Sequence, residues 1–245
     1  RLLGDQETAA LEQLCREQQG GAAGSVVQLA LSGKSKLLRQ ALLTGQYDEP
    51  MGLYYGGTDW QPETRTMRTV YDECLRSAPH VVHIDLHTGY GPRSLMSVVN
   101  SGLDPVPSPT WMRRIGYPRV VAATNDEFYG IEGDMIDYMY RTREAVARQT
   151  AMYATCFEFG CLGDSLRSSI DSLWCAIASN RLRQYGAASE DIARRVRKLW
   201  CEAYCPSDPA WEQKACADAL QGARGILHDQ GMLEGRLGAP RARQR

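Results

Sequence analysis

The chain has no surplus of charge of either sign. Its 28 Lys and Arg stand against 29 Asp and Glu, a formal net charge of −1 over 245 residues, with both signs interspersed. Nothing in it resembles the basic face that neutralises phosphates, so nucleic acid is not an expected partner. Long apolar runs are also missing, and none approaches the ~20 residues a membrane-spanning helix needs, so no membrane association is expected. There is no internal repeat and no low-complexity linker. Eight cysteines in a chain this long are too sparse for a disulfide scaffold. Reduced thiols are therefore the default, which points to the cytoplasm. Cys201, Cys205, Cys216 and His228 do not repeat the paired spacing of a zinc finger, and that grouping is set aside. Ser32-Gly33-Lys34-Ser35 resembles the end of a phosphate loop, but Gln28 stands where its first glycine is required and no strand precedes it.

What the chain does have is enough apolar material for a core: 43% hydrophobic residues, five of them Trp. One domain over residues 1–235 is the simplest organisation, followed by a disordered basic tail from Arg236 to Arg245. The first residue is Arg1 rather than Met, so the expectation is that the true N-terminus lies upstream. Periodicity predicts helices over Asp5–Gln18 and Leu29–Leu43, then an ordered Gly-, Pro- and Tyr-rich loop over Gly45–Thr58. A helix over Thr64–Ala78 leads into a strand at 81–87. Residues 89–118 read as mostly loop, because five prolines and several glycines fall there. Val120–Ala123 is a short strand, Asp134–Arg148 a helix and Ala151–Gly160 a strand. Three helices follow: Ser165–Tyr185, Ala188–Tyr204 and one capped near Asp208 that ends at about Asp229. Helices alternating with strands predict an α/β protein.

Only four histidines are present, and three fall in His80–His87. Strand alternation puts His83, Asp85 and His87 on one face and Val82, Ile84 and Leu86 on the other. His87 stands just before Gly89, where a strand would deliver it to the carboxyl edge of a sheet, the ligand-binding edge of open α/β folds. A hydrogen-bonded structural histidine is the commoner role for such a residue. Asp85 suits an acceptor that orients an imidazole, or a turn acceptor at the strand end. Residues two apart along a strand are roughly 6.5–7 Å apart, too wide for His83, Asp85 and His87 to share one small ion. The second segment is Phe157-Glu158-Phe159-Gly160, a lone carboxylate between aromatics. Desolvation there raises its pKa toward that of a general base, while an ion pair with an arginine is the structural alternative. Cys156 and Cys161 bracket it and read as buried thiols, with no histidine close in sequence.

Taken in order, Gly45-Gln46-Tyr47, Pro50, Gly52-Leu53 and Tyr55-Gly56-Gly57, then Ile84-Asp85-Leu86-His87-Thr88-Gly89-Tyr90-Gly91-Pro92, then Phe157-Glu158-Phe159-Gly160, then Pro206-Ser207-Asp208-Pro209-Ala210-Trp211, carry a resemblance. The chain resembles the DUF2817 group of M14-type zinc carboxypeptidases over about residues 40 to 230. That resemblance implies a mixed, mostly parallel sheet sandwiched between helices, this chain being the C-terminal portion of the domain. It implies a Zn2+ cofactor with His87 as metal ligand, Asp85 orienting that ligand and Glu158 as catalytic base; it gives His83 no role. The implied reaction is cleavage of a peptide or amide bond by metal-activated water, with a peptide or an acyl-amino acid as substrate. The departure is equally specific. No His-x-x-Glu pair occurs, since the residues three places after His80, His83, His87 and His228 are His83, Leu86, Tyr90 and Gly231. The Asn-Arg pair that would bind a substrate carboxylate is not identified either. The expectation is therefore a half-site in an N-terminally truncated, inactive chain whose other two zinc ligands are missing. The alternatives are a non-catalytic interaction module derived from this fold and a zinc-dependent deacylase of acyl-amino acids.

Overall fold

The computed structural model describes residues 45–124, 126–128 and 133–234. The helices expected over Asp5–Gln18 and Leu29–Leu43 and the basic tail lie outside the described residues. The described elements are α1 (Pro62–Ser77), β1 (His80–Gly89), β2 (Ser97–Asn100), α2 (Ser108–Ile115), β3 (Val120–Ala122), α3 (Met135–Val146), β4 (Ala151–Gly160), α4 (Leu166–Tyr185), α5 (Glu190–Tyr204) and α6 (Pro209–Asp229). None of these helices is long and apolar enough to cross a membrane.

The protein is α/β, with a four-stranded sheet in the order β1-β4-β2-β3. The Ala151 N–H donates to Pro79 O at 3.0 Å and the Cys161 N–H to Gly89 O at 3.2 Å, so β1 and β4 advance together and are parallel. β2 is antiparallel to β4, with Ser97 opposite Glu158, and parallel to β3, with Val98 opposite Val120. Two of the three pairings are thus parallel, and the sheet is mixed.

Among the described residues the chain divides into two compact units, one drawn from 66–87, 91–159 and 208–234 and one from 45–65, 88–90 and 160–207. In the first, period-two alternation gives the sheet an apolar layer on each face. Val81, Val99, Val121, Ala154 and Cys156 pack under α1 and α3, where Tyr71, Leu75, Ile136 and Met139 are buried. Val82, Val98, Val120, Tyr153 and Phe157 pack under α2 and α6, against Trp111, Ile115 and Ile226. The small residues of α6 allow a close approach: a Cβ on Gly225 would lie 2.0 Å from the Ile115 carbonyl oxygen. In the second unit α4 and α5 pair through Trp174, Ala178, Leu182, Ile192, Val196 and Leu199. The loop after residue 45 is ordered as expected, and Gln46 holds it: its Oε1 accepts from the Asp48 and Glu49 N–H groups, and its Nε2 donates to the Glu49 and Leu53 carbonyls.

The stretch 89–118 departs from its reading as loop, since it holds β2 and α2. β2 is Ser-Val-Val-Asn, four residues all buried in the sheet's interior, too short to show a period. α2 has Pro107 at its N-cap and Pro109 in its first turn, where a missing N–H is tolerated, and it ends at Gly116 with φ 62, so these punctuation residues mark its ends rather than its absence.

Candidate functional site

The face of the sheet beneath α1 and α3 becomes polar where β1 and β4 end. β1 alternation places Asp85 and His87 there, and β4 alternation places Cys156 and Glu158 there, two residues apart on the neighbouring strand. His87 Nε2 donates to Asp85 Oδ2 at 2.8 Å; a carboxylate can only accept, which fixes the tautomer. The other ring nitrogen, Nδ1, faces Glu158 Oε2 at 3.7 Å. The Glu158 side chain is 6% exposed and that of His87 50%, so the pair has a buried acidic side and an open imidazole side.

Each charge in the group answers to a neighbour. The hydrogen bond to Asp85 raises the His87 pKa, with added pull from the Asp85, Glu158 and Asp134 carboxylates. The same bond to His87 holds the Asp85 carboxyl below its ordinary value. Asp134 is raised, chiefly by burial. It caps α3 by accepting from the Asp137 N–H, and so brings the start of that helix to the site. Burial and then the nearby carboxylates push the Cys156 thiol up.

These residues line a small, partly open cavity of about 30 Å³, walled on its apolar side by Val99, Ala123, Phe128, Met135 and Ile136. That is room enough for a water-sized occupant. Three carboxylates line it, Asp85, Asp134 and Glu158, with no Lys or Arg among the lining residues. His87, Cys156 and Glu158 each offer one ligand atom, and these atoms all lie within 4.8 Å of one another. Among the described residues no other set of three such side chains forms a group of this kind, so Cys201, Cys205, Cys216 and His228 do not. The groove between α4 and α5 is larger, about 520 Å³, but it is an open helix surface, lined by Leu182, Arg183, Glu190 and Arg197, on which no metal-type donors converge.

The structure thus brings His87, Asp85 and Glu158 together. It keeps His83 apart: burial lowers that imidazole's pKa, and its Nε2 sits 3.5 Å from the Tyr71 hydroxyl of α1. Two further members of the site, Asp134 and Cys156, do not stand out along the chain. Asp134 is a helix cap whose signal is its place before Met135, and Cys156 is marked by its two-residue spacing from Glu158.

Fold and site together define an α/β protein with a metal-capable cluster of His, Cys and Glu at the carboxyl ends of two adjacent parallel strands. The chain belongs to the family described as Protein of unknown function (DUF2817), which matches residues 10–218. No curated protein matches it, and no solved structure does.

Proposed function

We propose that this site serves metal-assisted hydrolysis of an amide bond, in a peptide or an acyl-amino acid, with His87 as metal ligand and Glu158 as general base. The observation that supports this reading best is the Nδ1–carboxylate arrangement. With Nε2–H committed to Asp85, a neutral His87 aims the Nδ1 lone pair at the Glu158 carboxylate 3.7 Å away. Two acceptors face each other there, so an ion held at Nδ1 would have a carboxylate close by to take a proton from its water. The donor chemistry, imidazole beside carboxylate and sulfur, fits zinc rather than magnesium or calcium.

A bound ion of this kind would polarise the scissile carbonyl and acidify a water. The side chains do the rest. Asp85 fixes the imidazole tautomer and its orientation. Glu158, almost enclosed, takes a proton from the attacking water and passes it to the leaving amine, as a desolvated carboxylate beside a cation is able to do. The exposed edge of His87 leaves the site open toward solvent, where a substrate larger than the cavity has to approach. The likeness to M14-type carboxypeptidases supports the same roles for His87 and Glu158 and favours peptide or acyl-amino-acid substrates.

The test pairs metal analysis with hydrolysis of N-acyl amino acids and short peptides. Glu158→Gln should lower turnover by about 10²–10⁴-fold, the usual worth of a general base, while metal content stays unchanged. Metal bound without turnover fits the half-site expected of a chain that lacks the His-x-x-Glu pair, whereas turnover that survives Glu158→Gln would sink the general-base role.

A further inference from the structure

Cys156 stands on the same face of β4 as Glu158, two residues away, and the parallel neighbour β1 brings His87 against both. Its Sγ, a ring nitrogen of His87 and a carboxylate oxygen of Glu158 all lie within 4.8 Å of one another, and Cys156 lines the cavity that Asp85, Asp134 and Glu158 make acidic. We infer that Cys156 is a metal ligand, giving a zinc-type divalent ion a sulfur donor beside the His87 nitrogen.

The inference rests on the metal reading of the site but adds a donor that the family resemblance does not imply. Three observations converge on it. The cavity, about 30 Å³, has room for one small occupant. Its lining holds three carboxylates and no Lys or Arg, which favours a cation over an anion there. Nitrogen and sulfur from two rigid, adjacent strands select a borderline-soft ion over the oxygen-seeking magnesium and calcium. With His87 and Cys156 on the ion, Glu158 faces the same space from the buried side, and the exposed side of His87 leaves a position for water. On binding, the Cys156 S–H bond breaks, its electron pair goes to the ion and its proton passes to solvent. A chain with no His-x-x-Glu pair in its sequence thereby gains a second protein ligand from its own strand.

Cobalt(II) is the probe, because it takes zinc's donors and reports them by absorption. Titrated into the reduced 245-residue chain, it should bind one equivalent and produce a thiolate-to-cobalt charge-transfer band in the near ultraviolet, together with visible d–d bands. Cys156→Ser should abolish the charge-transfer band and weaken binding more than about tenfold, the scale of losing an outer-sphere partner alone. Cys161→Ser and Cys175→Ser, which alter buried thiols outside the group, should leave the band unchanged. A chain in which Cys156 is the single remaining cysteine should keep the band, and this result stands even if Cys156→Ser fails to fold. Stoichiometric cobalt with d–d bands but no charge-transfer band would overturn the sulfur ligand and leave the His87 and Glu158 reading intact. A band that persists in Cys156→Ser, or that is lost from the single-cysteine chain, would overturn the sulfur ligand in the same way. No binding at all would overturn both.

Discussion

At the level of single residues, the Asp85–His87 pair controls how the site answers to pH. His87 holds its proton more tightly in the fold than in the unfolded chain, chiefly through the hydrogen bond to Asp85. Its contribution to stability is fully present below the ordinary histidine value of about 6.5 and fades as pH rises through the raised one. Asp85 is shifted the other way, so its contribution is present above the ordinary aspartate value and is lost only in acid. The melting temperature of the metal-free chain should therefore fall as pH rises above the ordinary histidine value, and Asp85→Asn should flatten that slope. Both groups are partly exposed, so solvent screens the effect. The same substitution removes the carboxylate that orients the imidazole and should weaken metal binding by about 10–100-fold. A slope that survives Asp85→Asn, or metal affinity that does not change, would separate Asp85 from the site.

At the level of elements, the start of α3 carries two opposed demands. Asp134 caps the helix through its side chain, which favours keeping an acceptor there. Burial raises its pKa, so the charge it carries at neutral pH is a cost to the fold. Asp134→Asn keeps the cap and removes the charge, and should raise the denaturant midpoint near pH 7. Asp134→Ala loses the cap, worth about 1 kcal/mol, and should be less stable than the Asn variant at every pH. Equal midpoints for the two variants would show that the cap contributes nothing. Elements such as α3 are legible in the sequence because their caps and periods are local: Asp134, Ser165, Ser189 and Asp208 all accept backbone N–H groups at helix starts. β2 and α2 are not, because a four-residue buried strand has no visible period and a helix framed by Pro and Gly reads as loop. The site shows the same divide. Alternation along β1 shows Asp85 and His87, and along β4 it pairs Cys156 with Glu158. Which strand lies beside β1 is a long-range fact, and so His87 meets Cys156 only in the fold.

At the level of the whole molecule, all the ligand atoms of the site belong to one of the two compact units, the one built on the sheet. The α4–α5 core, with Ala178 and Val196 buried, belongs to the other. A metal that binds only the folded sheet unit stabilises that unit by mass action, about 2.7 kcal/mol when the free ion is at 100 times its Kd. Amides of β1 and β4 around Ile84 and Phe157, where exchange requires unfolding of the sheet, should then exchange about 100-fold more slowly with metal present. If the units unfold separately, amides around Ala178 and Val196 should exchange at the same rate with and without it. Equal slowing in both places would show that the two units unfold as one, while slowing confined to α4 and α5 would place the metal away from His87. No change anywhere would leave the sheet without a bound ion and remove the basis for hydrolysis at Glu158.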